Sequence, residues 1–474
     1  MNPRIVHFPI LILLCIEILV ATAFSSNKPP VQWLIVGGGP HGVHIATRLL
    51  EEVPSISHSD ICIIDNEPTL LQKWKTRTAA TGMVYLRSSS SYHLDVREDG
   101  LKRFTEQRWR NNKHLQLPLF AADYQRPRLD CFNEHCDHVI AKNHLDQVHM
   151  QGKVTDVIPT ETHVEVEFGQ PTGDTIKTCA NNVVLALGSD DPAYPDWATD
   201  EMIQSGQVKH IFDENDNNWS THHRQYESIA IVGGGISAAH LALKLHNNLH
   251  GNINCTSIHM ISRHDFREKQ FDTHQDWMMD SLAAQRSEAG GGQGIPMCQH
   301  RFASLDSFVE RRDVITRERQ GGTISAAVLR GKGGLRYAIE GGHIHWHKDD
   351  ICSVTNDAEM LSLVMESGEH IVVDQIILAT GFNKLPPASS LIKTIAQRNG
   401  LTLCPCGYPA PDKSLRWHQH IYLAGALAEL ELGPSARNLA GARLASERIV
   451  AAAKSATASS RNTAGSARFT RSIA

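Results

Sequence analysis

Three glycines in the stretch Trp33–Gly42, WLIVGGGPHG, have the spacing to bind the pyrophosphate of a dinucleotide. Apolar β-forming residues lead into Gly37-x-Gly39-x-x-Gly42, and apolar residues at helical spacing follow, which predicts a strand, a tight turn and a helix. Gly37 permits the turn, Gly39 lets the backbone approach the phosphates, and Gly42 allows close packing of helix and strand. Pro40 lies in the same turn, and the amino terminus of the helix faces the phosphate charge.

Asp65 is the second residue type that this chemistry needs. It ends a further apolar run, ICIID, about 20 residues after the glycine turn, where an acid holds a ribose hydroxyl. On this one motif, a glycine-rich turn in some other α/β protein remains the alternative.

The glycine pattern recurs in IAIVGGGISAAHLALKL as Gly233-x-Gly235-x-x-Ala238, with Ser237 in the same turn. Two such motifs in one chain predict two bound nucleotides, normally a flavin and a nicotinamide. The second strand of this unit, SIHMIS, is followed by Arg263 instead of an acid. An arginine there neutralises a 2′-phosphate, so we predict NADPH in preference to NADH; a solvated arginine is the alternative.

Further cofactor-binding positions are assigned from their place in the chain. Residues 70–95 are rich in hydroxyls and arginines with little apolar periodicity, which predicts a cofactor-lining loop. Trp74 and Met83 in that loop either pack against a flat ring or cover the core. Arg437, after Pro434 and before a long helical pattern, can face the electron-rich edge of a reduced flavin. The remaining assigned positions lie at or near the ends of predicted strands or in the last segment: Val154, Gly188, Gly381, Gly425 and Gly433.

Composition narrows the function classes. The chain has 474 residues, which suits two or three domains, and a net charge of −5 without a basic patch, so we predict no nucleic-acid partner. The 27 histidines and ten cysteines follow no metal-ligand spacing, so no metal site is predicted. Cys131 and Cys136, spaced C-x4-C, are interpreted as ordinary thiols, and Cys404-Pro405-Cys406 as a CxC pair or a loop.

Residues 1–23 have the pattern of a signal sequence. Arg4 precedes an apolar core from Phe8 to Val20, and Ala21-Thr22-Ala23 fits a cleavage site. This predicts the secretory pathway, with an extracellular or endomembrane-lumen destination. Two alternatives stay open. One is an uncleaved membrane anchor, and only then do we predict that the protein contacts a membrane. The other is a bipartite plastid signal.

Taken together, these motifs resemble the flavin-dependent N-hydroxylating monooxygenases that act on ornithine and lysine. The resemblance extends over residues 31–450. Asp374-x3-Leu378-Ala379-Thr380-Gly381-Phe382 matches the family's Asp-x3-Leu-Ala-Thr-Gly-Tyr motif with Phe for Tyr, and Pro127-Arg128 before a helix is similar to the family. Trp74 and Gly82-Met83 match its flavin-side pair at longer spacing. The family's glutamine-containing segment after Gly-Met is replaced here by LRSSSSYHLD.

The resemblance implies an α/β fold with two Rossmann-type (GR2-like) dinucleotide-binding domains, the NADPH domain inserted in the FAD domain. We place the FAD-binding domain at residues 31–200 and 366–453, the NADPH-binding domain at 201–365, and a disordered tail at 454–474.

It also implies an FAD- and NADPH-dependent monooxygenase that uses O2, through a C4a-hydroperoxyflavin, to hydroxylate a small nucleophilic, amine-type substrate. No catalytic side chain is assigned, and a homo-oligomer is left open. One alternative is an NADPH-dependent flavin reductase or oxidase that passes electrons to a quinone, a protein or O2. The other is a flavin-binding protein without turnover.

Overall fold

Two β-sheets, each with a parallel centre made from short apolar runs, form the framework of the chain. The computed structural model describes residues 29–108, 117–189, 191–213, 226–247, 255–278, 296–357 and 360–470. The first two strands, VQWLIV and ICIID, are largely buried, which is typical of parallel strands that are covered on both faces. The predicted signal sequence, residues 1–23, lies outside the described residues.

The described strands, in chain order, are β1 (Val31–Val36), β2 (Ile61–Asp65), β3 (His149–Gln151), β4 (Lys153–Pro159), β5 (Val164–Gly169), β6 (Thr175–Leu185), β7 (Val208–His210), β8 (Tyr226–Val232), β9 (Cys255–Ile261), β10 (Arg267–Glu268), β11 (Thr323–Ile324), β12 (His345–His347), β13 (Ile351–Asp357), β14 (Met360–Met365), β15 (His370–Val373), β16 (Gln375–Leu378), β17 (Arg416–His418) and β18 (Ile421–Leu423).

The described α-helices are α1 (Pro40–Glu52), α2 (Gln72–Thr81), α3 (Gly100–Arg108), α4 (Leu129–Lys142), α5 (Asp200–Gln204), α6 (Ile236–Asn247), α7 (Met297–Ala303), α8 (Phe308–Glu318), α9 (Ala326–Arg330), α10 (Leu335–Glu340), α11 (Ser389–Asn399), α12 (Glu429–Leu432) and α13 (Leu439–Thr470). None of the helices in these ranges is long and apolar enough to cross a membrane.

The first sheet has the order β17-β18-β6-β1-β2-β3, and the pairs from β18 to β3 are parallel. The long strand β6 belongs to two layers. Its first half pairs antiparallel with β5, which pairs with β4, and its second half pairs with β1 and β18. This sheet is the centre of the first unit, and α13 packs against α1 on it.

The second sheet is wholly parallel, in the order β12-β9-β8-β16-β7. The antiparallel sheet β13-β14-β15 packs on one of its faces, and α6, α9 and α10 pack on the other. The chain enters this second unit between β6 and β7 and leaves it after β16, so the second unit is inserted in the first, as predicted.

The structure differs from the sequence-based expectations in one domain boundary and in two segments that are helical. Residues 366–378 belong to the second unit, because β16 lies between β7 and β8 at the centre of its sheet; the predicted return at 366 is too early. Residues 72–81, predicted as part of a loop, form α2, which packs against α6. The backbone of α13 continues through Thr470, where we predicted disorder from residue 454. The amphipathic helix predicted after Pro127-Arg128 is confirmed as α4.

Candidate functional site

The first glycine turn lies at the carboxyl end of β1. Gly37 has φ +114°, and a Cβ there would lie 2.3 Å from the carbonyl oxygen of Ala186. A Cβ at Gly42 would lie 1.8 Å from the Gly37 carbonyl oxygen, so helix and strand pack as closely as predicted. Gly39 caps α1 and Pro40 begins it, and a Cβ at Gly39 would meet no atom within 4 Å. The amino terminus of α1 therefore faces open space in which a phosphate group fits.

Asp65 lies at the end of β2, beside this turn. Its carboxylate accepts hydrogen bonds from the N–H of Gly38 and, at 2.8 Å, from the N–H of Glu67. The Gly37 N–H donates to the Ile64 carbonyl at 2.8 Å, which joins the turn to the end of β2. Each carboxylate oxygen keeps a further lone pair, so Asp65 can accept the ribose hydroxyl that we predict for it.

Two more predicted glycines follow the strands next to β1. Gly188 comes after β6 with φ +77°, and Gly425 comes after β18 with φ +63°. Because these strands are parallel, their carboxyl ends meet at the edge that carries Gly37. A Cβ at Gly188 would enter open space, and one at Gly425 would approach the ring of His41 to 3.8 Å. These bare backbone segments form a cradle that fits an extended dinucleotide such as FAD.

Trp74 and Met83 lie at and after α2. The Trp74 indole N–H donates to Asn133 Oδ1 at 3.1 Å, and its ring packs 5.8 Å from the ring of Phe132. Met83 follows the helix and is partly buried. Val154 lies on β4, close to the point where β3 pairs with the end of β2. Contact of these residues with a flavin ring stays a prediction.

The second glycine turn has the same geometry at the carboxyl end of β8. Gly233 has φ +148°, and a Cβ there would lie 2.5 Å from the Ala379 carbonyl oxygen. Gly235 precedes α6. Ser237 and Ala238 lie in the first turn of α6, and Ala238 is fully buried. Ala238 occupies the position that corresponds to Gly42 in the first turn, and here the packing has room for its methyl group.

The segment after β9 is the predicted 2′-phosphate site. Arg263 is exposed, lines the cavity described below and makes no ion pair with any described residue. Ser262 is used internally, because its hydroxyl donates to the His264 carbonyl at 3.1 Å and accepts from the Trp346 indole at 2.9 Å. Arg263, with Arg267 nearby, is therefore the better phosphate ligand.

A cavity of about 1380 Å³ joins the second glycine turn to the first unit. Gly233 to Ser237 and Ala379 to Lys384 line one part of it, and Cys406, Tyr408 and Arg437 line another. Gly381, with φ +85°, is one of these lining residues. A nicotinamide nucleotide on α6 thus shares one cavity with first-unit residues. Within the described ranges, no cluster of His, Cys, Asp or Glu could hold a metal ion.

The chain crosses between the two units twice, once after β6 and once after β16, and the two crossing segments run side by side. The Ala193 N–H donates to the Gly381 carbonyl, and the Asn383 N–H donates to that of Asp191, both at 3.0 Å. Phe382 stacks on Phe212, with 5.4 Å between ring centroids. The crossings therefore pair as a short antiparallel ribbon that lines the cavity.

Arg87 connects the units at another point. It lies in the first-unit loop after α2, and its guanidinium donates to the carbonyls of Gln270 and Lys269 and to the carboxylate of Asp272. It also donates to Thr323 Oγ1 at 2.7 Å. One side chain thus holds two segments of the second unit.

A cluster of three arginines around one buried carboxylate is the part of the site that sequence reasoning missed. Glu429 is completely buried and accepts hydrogen bonds from Arg312, Arg319 and Arg437. Burial would raise the pKa of Glu429, but the hydrogen bond from Arg437 and the three positive charges together lower it to about 2. The cluster carries a net charge of +2 at the cavity wall.

Arg437 has two protein partners that the sequence does not reveal. Its guanidinium donates to Glu429 and, at 2.6 Å, to the hydroxyl of Tyr408, and the residue lines the cavity, so its approach to a flavin edge stays a prediction. The helix after it begins at Leu439, five residues beyond Pro434. Gly433 has φ +81° and ends α12, and a Cβ there would lie 3.0 Å from the Trp277 ring.

Fold and site together define a flavoprotein oxidoreductase with two dinucleotide-binding units, the second inserted in the first. A family model described as FAD-NAD(P)-binding matches residues 34–190 and 230–383, more than half of the chain. The chain belongs to this FAD-NAD(P)-binding family, which confirms the predicted fold and the flavin–nicotinamide cofactor pair. A model described as L-lysine 6-monooxygenase/L-ornithine 5-monooxygenase matches residues 113–275, in agreement with the resemblance.

Solved structures show the same fold at low sequence identity. The ornithine hydroxylase of Pseudomonas aeruginosa is 16% identical, with a TM-score of 0.66 over 90% of this chain and 98% of that one. The ornithine N-hydroxylase of Kutzneria sp. 744 is 18% identical, with a TM-score of 0.66 over 90% and 99%. The cadaverine monooxygenase of Erwinia amylovora is 14% identical, with a TM-score of 0.64 over 89% and 94%. No curated protein matches the sequence.

Proposed function

We propose that the protein is an FAD- and NADPH-dependent monooxygenase that hydroxylates a small amine with O2. The single observation that carries this is the cavity that joins the second glycine turn to residues of the first unit, because hydride transfer between two cofactors requires a space that both units line. The matched lysine/ornithine monooxygenase model and the hydroxylases of ornithine and cadaverine with this fold support the amine substrate.

When bound, FAD supplies two-electron exchange with NADPH and activation of O2. The chain supplies position and electrostatics. The amino termini of α1 and α6 bind the two pyrophosphates, Asp65 orients a ribose, and Arg263 binds the 2′-phosphate. Phe382 lines the cavity and stacks on Phe212, which gives this part of the wall an apolar face.

Arg263 gives a direct test of the choice of NADPH. Arg263→Ala should lower kcat/KM for NADPH by roughly 10- to 100-fold and leave kcat/KM for NADH almost unchanged, because one charge-assisted phosphate contact is removed. Arg336→Ala, in the exposed part of α10, is the matched control. Equal losses with both nucleotides would refute the assignment.

The reaction is tested by comparing NADPH consumed with products formed. With FAD bound and O2 present, ornithine, lysine and cadaverine are each offered, and hydroxylamine product and hydrogen peroxide are measured. Hydroxylated product in near-equal amount to NADPH supports the proposal. Peroxide alone with every amine favours the reductase or oxidase alternative.

We also propose entry into the secretory pathway through residues 1–23, on the sequence pattern alone. Amino-terminal sequencing of protein from the native cell tests this. A mature terminus close to residue 24 supports a cleaved signal, and an intact Met1 contradicts it.

A further inference from the structure

Cys404 and Cys406 lie in a tight turn at the cavity. The Gly407 N–H donates to the Cys404 carbonyl, and the Cys404 N–H donates to the Tyr408 carbonyl, both at 2.8 Å. Pro405 takes the second position of this turn, where its fixed φ is favourable, and Gly407 has φ +83°. The turn therefore holds the two cysteines at its first and third positions.

The two sulfurs are close together and unequally accessible. Cys404 is buried, and its Sγ lies 3.8 Å from the Phe308 carbonyl oxygen. Cys406 is half-buried and lines the cavity. Both are free thiols, and one turn residue separates them. Thiol–disulfide exchange depends on access to the attacking thiol, and Cys406 is the more accessible of the two.

Arg312 adds a positive charge beside the accessible sulfur. Its Nη1 donates to Glu429, whereas its Nε and Nη2 are buried and find no regular hydrogen-bond partner in the described part of the chain. Arg312 and Cys406 line the same cavity. The guanidinium also lies over the ring of Tyr408, 4.2 Å from its centroid. Glu429 and Tyr408 thus hold this positive charge in the cavity wall that carries Cys406, where it favours a thiolate.

The second pair of closely spaced cysteines in the sequence has neither an accessible sulfur nor a place in the cavity wall. Cys131 and Cys136 both lie on α4 and are completely buried in the core of the first unit. Burial raises the pKa of Cys131 to about 12 and raises that of Cys136 further. No disulfide substrate can reach them, so the CxC turn is the candidate.

We propose that Cys404 and Cys406 form a redox-active pair that NADPH reduces through the family's FAD and that in turn reduces small disulfides. This goes beyond the hydroxylation proposed above and depends only on the cofactor pair. In the first half, one hydride from NADPH and one proton break the Cys404–Cys406 disulfide and leave two thiols and NADP⁺. In the second, the Cys406 thiolate attacks an external disulfide and expels one thiolate. Cys404 then attacks Cys406, expels the second and restores the internal disulfide.

The first test counts thiols and does not measure turnover. The FAD-loaded protein is oxidised with diamide, freed of reagent, and treated with NADPH without oxygen until the visible absorbance of the flavin is bleached. Iodoacetamide then labels free thiols, and the peptide that contains both cysteines is weighed by mass spectrometry. We expect an unlabelled internal disulfide before NADPH and two labelled thiols after it. A pair that stays labelled after diamide, or a disulfide that persists beside bleached flavin, would overturn the proposal.

The second test measures NADPH-dependent reduction of an aromatic disulfide by variants. Cys406→Ser should lower this rate about tenfold or more, because the attacking sulfur is lost. Cys179→Ser, which changes a half-buried thiol on β6 away from the cavity, is the matched control and should stay within about twofold of wild type. Equal rates in both variants would contradict the assignment. Hydroxylamine formation is measured separately, so failure of either proposal is seen independently of the other.

Discussion

Replacing Glu429 by glutamine preserves the size of the side chain but removes the negative charge that three arginines share. The pKa of this carboxyl falls from its ordinary 4.5 to about 2 against the effect of burial. Such a lowering corresponds to roughly 3 kcal/mol of folding free energy at pH 7. The variant loses this contribution and leaves Arg312, Arg319 and Arg437 to repel one another. Breaking a buried ion pair from one side costs about 3–5 kcal/mol, so the two magnitudes agree.

The assay is thermal unfolding of the FAD-loaded protein, followed by flavin release. With about 2.1 cal/mol/K of unfolding entropy per residue, 3 kcal/mol lowers the midpoint of a chain of this length by roughly 3 °C, and by somewhat more if the first unit unfolds alone. Glu366→Gln, at an exposed glutamate, is the control and should shift the midpoint by less than about 1 °C.

The sign of the pH dependence is a second check on the same variant. A lowered carboxyl pKa stabilises the folded state above the unfolded value of 4.5, and this contribution is lost as the pH falls toward 2. The difference between wild type and Glu429→Gln should therefore be constant above pH 5.5 and smaller by about 1 kcal/mol at pH 4. An unchanged midpoint at pH 7, or a difference that grows on acidification, would refute the reasoning.

Three further variants or conditions have defined outcomes. Gly37→Ala should abolish FAD binding, measured as the flavin-to-protein absorbance ratio, because its Cβ would lie 2.3 Å from the Ala186 carbonyl oxygen at φ +114°. Burial lowers the pKa of His93 to about 4 and that of His135 to about 3, so the unfolded chain binds more protons. The free energy of unfolding in urea should thus be constant above pH 7 and fall from pH 6.5 toward pH 4. Arg87→Ala should accelerate proteolytic cleavage between the units about tenfold, because it removes a shared set of hydrogen bonds.

Matched controls make these outcomes decisive. Gly321→Ala, at a glycine with open space and no positive φ, should retain FAD; equal loss in both variants would contradict the role given to Gly37. A free energy of unfolding that does not change between pH 7 and pH 5.5 would contradict the burial of neutral histidines. Arg97→Ala, at an exposed arginine that pairs with Asp99, should leave the cleavage rate unchanged.

The two glycine turns could be predicted from the sequence because their requirements are local. Gly37 and Gly233 need positive φ and a close approach to one neighbouring carbonyl, and the flanking apolar runs identify the strand before each turn. Asp65 was located by spacing along the same unit. The cofactor pair followed from these residues and the family confirms it.

The features that the sequence does not predict depend on contacts between distant parts of the chain. The run that ends at Leu378 is visibly a buried strand, but only pairing with β7 and β8 shows which sheet it completes. Helix α2 has little apolar periodicity, and its position depends on contacts such as the hydrogen bond from Lys244 to the Ala79 carbonyl. Arg437 was predicted from its place before a helix, whereas its partner Glu429 also binds Arg312, which is more than 100 residues away in sequence.

The insertion of one unit in the other sets an order for folding during synthesis. All five strands of the second sheet lie between Val208 and Leu378, so that sheet can close before the ribosome has made β18. The first sheet must wait for β18 and α13, although β1 is synthesised first. Until then the far edge of β6 stays unpaired, and it is a ready template for a wrong strand. Slow or truncated translation after Leu378 should therefore yield a closed nicotinamide unit attached to an aggregation-prone flavin unit.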